Sequence, residues 1–349
     1  MAPANNPIAI TALLVALAAL AAPNPARADE QLVPALGLPV QTQHGATNAI
    51  WLNNRELEVM IFPDAGRIGQ IGFGSAHNLL RLETNLLADA AGPSEGWKNF
   101  GGDWLWPVLQ ARWPSFNGRD WPPPAVLEAR PWQATAWVDV RGDHCCLLTN
   151  FYGPPVNLSA RRLIRLHAGE PRLTIEQRLT RTATSSVPAV LWHISQVAGA
   201  EDAALATDPH SALSNGWTVL AFDPPPAAAL TACSNAVVLR VAEAGEHKLG
   251  SDAPAGWVAA RRGEWLLVAS ASNETAHGTW PDRGCRLEIY CNRGLGYTEI
   301  ETLSDERALA PGESIANTLT LEAFHLPRAL SGCALADWIR GHGLRARRP

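Results

Sequence analysis

Short apolar-rich segments, separated by turn residues, run through most of the chain. Ala49–Leu52 and Glu56–Phe62 flank Asn53-Asn54, and Arg67–Phe73 follows Asp64-Ala65-Gly66. These residue types in this order predict a hairpin and a third strand. The pattern resumes at Trp132–Val140, Cys145–Phe151, Leu158–His167, Arg172–Arg181, Val187–Val197 and Trp217–Phe222. It continues at Ala236–Val241, Trp257–Arg261, Trp265–Ser270, Arg286–Cys291, Tyr297–Leu303 and Ser314–Phe324. Turn residues punctuate it at Arg141-Gly142-Asp143, Gly169-Glu170-Pro171 and Ala310-Pro311-Gly312. Many short strands at nearly regular spacing predict an all-β antiparallel sandwich rather than alternating βα units. Only the tail, about Pro327–Gly341, has a helical pattern. Residues 29–349 contain no linker or repeat and read as a single domain.

Two stretches depart from this pattern. Ile8 to Ala22 is uncharged and apolar, and it is followed by the small-residue triplet Ala26-Arg27-Ala28. The run is shorter than the ~20 residues of a membrane helix, and the triplet has the form of an Ala-x-Ala cleavage site. Residues 1–28 therefore read as a signal peptide cleaved near Ala28. The expectation is an exported protein, periplasmic or secreted, with no stable membrane span after cleavage. The second stretch, residues 84–131, is rich in Gly, Pro and Trp and lacks periodicity. It reads as a long ordered loop, a feature that in compact domains is usually functional.

Composition narrows the chemistry. The net charge is −5 and the basic residues are dispersed, which gives no electrostatic footprint for nucleic acid. Arg345, Arg347 and Arg348 form a small solvated tail. Cys145, Cys146, Cys233, Cys285, Cys291 and Cys333 allow 15 disulfide connectivities, and spacing alone does not choose among them. Neither the cysteines nor the scattered histidines have zinc-site spacing, and no nucleotide fingerprint is present. No metal or cofactor is expected. Gly92-Pro93-Ser94-Glu95-Gly96 has the form of a nucleophile elbow, but it lacks the preceding strand and following helix that the elbow needs.

The informative segment runs from Trp97 to Pro124. It carries five of the chain's 14 Trp residues, interleaved with Asn99, Asp103, Gln110, Arg112 and Asp120. Flat aromatic faces stack on pyranose C–H faces, and planar amides, carboxylates and guanidinium groups bind ring hydroxyls. A sugar site needs this mixture on one concave surface. Trp104 and Trp106 are the expected platforms, and the expected ligand is a mono- or oligosaccharide.

Four segments resemble the galactose-mutarotase-like (aldose 1-epimerase-like) superfamily, and within it a family without an assigned reaction. They are Asp64-Ala65-Gly66-Arg67-Ile68, the Asn99-x-Gly101-Gly102-Asp103-x-x-Trp106-Pro107 loop, Trp192-His193, and Tyr297 to Leu303 followed by Leu309-x-Pro311-Gly312-Glu313-Ser314. Where that family often has a basic residue after Gly-Gly-x, this chain has Trp104. The resemblance implies a β-supersandwich with a sugar cleft on its concave sheet, to which Arg67 and Tyr297 would contribute. It also implies a Glu base on a C-terminal strand and a His acid on a central strand. Glu301 matches the base position and His193 the acid position. Tyr297, Glu299 and Glu301 share strand parity and face one way, with Glu299 the next candidate and Ile300 facing the core.

Anomeric interconversion needs one base, one acid and no cofactor. A non-catalytic carbohydrate-binding or protein-interaction domain, the latter using the Trp residues as a protein–protein patch, and a polysaccharide-cleaving enzyme remain alternatives. The cleaving enzyme would use Asp103 or Asp120 opposite Glu301.

Overall fold

The computed structural model describes residues 39–44, 47–74, 77–87, 90, 97–128, 130–254, 256–273 and 277–342. The expected leader at 1–28, the Gly92–Gly96 motif and the arginine tail lie outside the described residues. The first of two sheets runs, in spatial order, β1 (Val40–His44), β2 (Thr47–Asn53), β3 (Glu58–Phe62), β4 (Arg67–Gly72), β5 (Asp103–Trp106), β10 (Trp192–Ala198), β19 (Tyr297–Leu303), β18 (Leu287–Asn292), β15 (Glu246–Ser251) and β12 (Thr218–Ala221). The second runs β13 (Leu230–Ala232), β14 (Ala236–Arg240), β11 (Asp202–Ala206), β16 (Val258–Arg262), β17 (Trp265–Asn273), β20 (Ser314–His325), β9 (Arg172–Arg181), β8 (Leu158–Leu166), β7 (His144–Tyr152) and β6 (Gln133–Val138). Neighbouring strands pair antiparallel throughout. This is the all-β antiparallel sandwich expected from the sequence.

Alternation sets which face each strand buries. In β20, Ile315, Asn317, Leu319, Leu321 and Ala323 are buried while their neighbours are half-exposed. A slip of one residue would turn that set outward, so the register is strongly specified. The main helix, α1 (Gly332–His342), lies close to the expected tail helix. It is tied to the sheet by the Cys233–Cys333 disulfide, while Cys145, Cys146, Cys285 and Cys291 are free and buried. Among the described residues no helix is long and apolar enough to cross a membrane.

The segment expected to be a loop, 84–131, supplies a central strand. Asp103–Trp106 forms β5, paired to β10 on one side and touching β4 on the other. Gly101 and Gly102 make the entry possible. Both have left-handed backbones, at φ 77° and 80°, and a Cβ would lie 2.3 Å from Arg81 O in the first and 2.4 Å from Ile68 O in the second. Only glycine fits backbone contacts this close.

A buried polar knot joins the two sheets behind β5 and β10. Arg162 of β8 donates to Asp103 Oδ1 at 2.6 Å, and Ser195 Oγ donates to Asp103 Oδ2 at 2.7 Å. His193 closes the knot through Nε2 on the same carboxylate oxygen. Arg162 also donates to Gln177, which bonds onward to Asn317. Asp103, Arg162, His193 and Ser195 are all fully buried. Burial alone would raise the Asp103 pKa, but His193 and Arg162 outweigh it and hold it at about 2.

Removing one partner of a buried pair leaves an uncompensated charge, so Asp103→Asn should destabilise the protein by about 3–5 kcal/mol at pH 7. Urea unfolding measures this, and a change within error would contradict it. The folded pKa lies below the unfolded value of about 3.9, so this stabilisation is present above about pH 4 and lost as pH falls toward 2. Over that window wild type should lose more stability than Asp103→Asn.

Candidate functional site

The knot fixes which residues reach the outer face. Along β10, His193 and Ser195 face the second sheet, so Trp192, Ile194 and Gln196 face away from it. Register carries this parity across the sheet. Trp192 pairs with Trp106 and Leu303, Ile194 with Trp104 and Glu301, and Gln196 with Glu299. Glu301 in turn lies opposite Glu288, and Glu299 opposite Tyr290, which pairs with Lys248.

On this outer face lies a cleft of about 460 Å³. Its floor is Trp106, Trp192, Gln196, Tyr297 and Glu299, joined by Tyr290 and Lys248. Trp97, Asn99, Gln110 and Trp121 line it from the β5 side. Phe222, Glu246 and Leu295 line it from the opposite side. Trp106 is the hub of the aromatic wall, with ring centroids 5.5 Å from Trp97, 5.4 Å from Trp104, 5.1 Å from Trp113 and 5.0 Å from Trp192. Glu128, from the turn at Ala125–Glu128, holds this hub by accepting Trp106 Nε1–H at 3.0 Å.

Beneath the floor sits an excess of carboxylates. Glu288 and Glu301 are fully buried and share Lys248, whose Nζ lies 2.7 Å from Glu288 Oε2 and 3.1 Å from Glu301 Oε2. Trp192 Nε1 also donates to Glu301 Oε2, at 2.6 Å, and Lys248 lies over the Trp192 ring. Burial raises the Glu288 pKa well above the carboxylate range, against the pull of Lys248. Burial would lower Lys248, but Glu288 and Glu301 overcome it and raise its pKa. Among the described residues Glu301 Oε1 has no hydrogen-bond partner.

Of Glu288, Glu299 and Glu301, Glu299 is the one that lines the cleft. It is half-buried and accepts a 2.7 Å hydrogen bond from Gln196 Nε2. The Gln196 carbonyl accepts from Arg81 at 3.0 Å, which fixes the amide orientation. Burial first, and the neighbouring Glu301 second, push the Glu299 pKa up to about 8. Beside it, Tyr297 bonds to Asn99 and Tyr290, and Tyr290 donates to Glu246 at 2.7 Å. A group that titrates near neutral pH within an aromatic cleft is suited to proton transfer.

Of the residues expected at the site, Asn99, Trp106, Gln110, Tyr297 and Glu299 line the cleft together. Glu301 is on the right face but sealed beneath Trp192 and Lys248. Trp104 does not line the cleft; it is buried under the Arg67 guanidinium, 4.5 Å from its ring. Arg67 itself is buried beside Glu128. Arg112 is exposed and clamps the loop through a two-point pair with Glu306. Asp120 is exposed, and its carbonyl accepts from Gln110.

His193 and Asp103 require correction. Both point into the inter-sheet knot, so neither an acid at His193 nor an Asp103–Glu301 carboxylate pair exists across the cleft. Ser195, His193 and Asp103 form no relay either, because Ser195 and Asp103 meet the same imidazole nitrogen. Sequence reading missed Gln196, Lys248, Glu288, Tyr290 and Glu128. Gln196 could have been found from its parity with Trp192. Glu128 carries no local signal. Among the described residues no metal-binding group of His, Cys, Asp and Glu side chains is found.

No protein-family model and no curated protein sequence matches the chain. Solved structures do. Galactose 1-epimerase from Lactobacillus acidophilus NCFM superposes with a TM-score of 0.51 at 12% identity, covering 82% of this chain and 98% of that one. A galactose mutarotase-like protein from Lactobacillus casei ATCC 334 gives a TM-score of 0.52 at 12% identity, covering 79% and 100%. A TPR-domain containing protein from Parabacteroides distasonis ATCC 8503 gives 0.54 at 11% identity, covering 81% of this chain but 48% of that one. The chain has the galactose-mutarotase-like β-sandwich fold.

Proposed function

We propose that the protein binds a sugar in the Trp106–Trp192 cleft and that Glu299 exchanges a proton with the anomeric hydroxyl. The observation that carries this reading is the half-buried Glu299 carboxyl, with its pKa at about 8, on an aromatic floor. As carboxylate, Glu299 takes the anomeric proton. The C1–ring-oxygen bond breaks, and the ring oxygen gains a proton from a donor lining the same cleft, where Tyr290 and Lys248 stand. The carbonyl turns over and the steps reverse. Protons balance and no cofactor is needed. Lys248 also brings positive charge, held in place by Glu288 and Glu301. The epimerase-type Glu/His pair thus becomes Glu299 with a non-histidine donor.

Export is part of the proposal. The leader at 1–28 motivates it, and the Cys233–Cys333 disulfide supports an oxidising compartment. A second reading, sugar binding without catalysis, is favoured by one observation: His193 faces the interior.

Polarimetry on freshly dissolved α-glucose and α-galactose tests the reaction. Wild type should accelerate mutarotation, and Glu299→Gln should lower the enzymatic rate about 10²–10⁴-fold. An equally fast Glu299→Gln would remove Glu299 from the mechanism. Wild type inert on every free sugar leaves only the binding reading.

The pH profile is a separate check. The base is the ionised form and its pKa is raised, so the rate should climb with pH through a midpoint near 8. A rate already at its plateau at pH 6 would contradict this.

A further inference from the structure

Apolar surface gathers at the mouth of the cleft. Six large apolar side chains are exposed among the described residues, and three of them, Trp121 at 51%, Phe222 at 53% and Leu295 at 59%, line this one opening. They come from separate parts of the chain. Trp121 lies midway along the connection from β5 to β6, Phe222 follows β12, and Leu295 sits in the β18–β19 turn. The floor is of a different kind, since Trp106 and Trp192 are 4% and 5% exposed.

Floor and rim are continuous. Trp121 lies 5.5 Å from Trp97 and 6.0 Å from Trp113, and Trp97 lies 5.5 Å from Trp106. On the far side Phe222 lies 6.0 Å from Tyr290. Half-exposed aromatic surface in water is unfavourable unless something covers it. The rim also carries the polar groups Gln110 and Glu246 at intervals. Apolar faces with hydrogen-bonding groups between them match a sugar ring better than an apolar protein surface.

We infer that the ligand is an oligosaccharide whose reducing-end ring occupies the floor and whose next ring lies on the rim formed by Trp121, Phe222 and Leu295. This rests on the reading of the cleft as a sugar site with Glu299 at the anomeric carbon. Glu299 lies on the floor, so the free anomeric centre must enter first. The glycosidic link to the next residue then leaves through the mouth. Substrate choice is set on the rim, away from the reacting atoms. Trp121, Phe222 and Leu295 are specificity-determining residues and not catalytic ones.

Isothermal titration with glucose, galactose, maltose, cellobiose and lactose tests this on wild type, Trp121→Ala and the double variant Phe222→Ser/Leu295→Ser. At least one disaccharide should bind wild type about tenfold more tightly than its component monosaccharide. Each rim variant should remove most of that gain, weakening the disaccharide about tenfold and the monosaccharide by clearly less. The double variant serves as a check independent of the Trp97 and Trp113 contacts that Trp121→Ala also removes. Equal affinity for mono- and disaccharides in wild type, or equal weakening of both in the variants, overturns the rim assignment and leaves the sugar cleft standing. Binding of no saccharide by the folded protein overturns the sugar reading itself, and this inference with it. A wild-type dimer that Trp121→Ala converts to monomer, with the disaccharide preference unchanged, makes the rim an interface between copies and overturns the inference.

Discussion

The period of two along β5, β10 and β19 is the constraint on which the site depends. Successive side chains on a strand face opposite ways, and the Arg162–Asp103–His193 knot fixes which set faces inward. Once Asp103 and His193 are committed to the interior, Trp104, Trp106, Trp192 and Gln196 must lie on the outer face. The same parity places Glu299, Glu301 and Glu288 together there. A buried charge pair contributes little net stability in general, but losing one member is costly. The knot therefore serves register: it ties β5, a four-residue strand in a Gly/Pro-rich stretch, to the second sheet.

The outer face gets its chemistry from an imbalance. Glu288, Glu299 and Glu301 crowd around one ammonium, Lys248, under a layer of Trp rings. Burial disfavours charge and raises the pKa values of Glu288 and Glu299. Glu301 lies against Lys248 and Trp192. Only Glu299 also reaches the cleft, so the group free to meet a ligand is also one that titrates near physiological pH.

Much of the fold was legible in the sequence, because β9 and β20 alternate cleanly and turn residues separate most strands. What was missed has physical reasons. Asp202–Ala206 is mostly alanine, and Glu246–Ser251 is built from residues with little strand preference, yet both pair within sheets. Asp103–Trp106 was hidden among Gly and Pro, although the Gly101-Gly102 step marks its entry. The parity of Tyr297, Glu299 and Glu301 was readable. Which of the glutamates stays open was not, because Trp192 and Lys248, which seal Glu301, come from two other strands. His193 resembled an acid because of its neighbour Trp192, but adjacent residues on a strand belong to opposite faces.

The fold by itself carries no reaction, and the account stands on Glu299 in its aromatic cleft. The most direct test is a crystal structure of the protein soaked in a sugar that it binds. The account predicts a pyranose ring packed on Trp106 and Trp192, with its anomeric hydroxyl within hydrogen-bonding reach of the Glu299 carboxyl. A sugar bound elsewhere on the protein, or one lying in the cleft with its anomeric carbon turned away from Glu299, would contradict it.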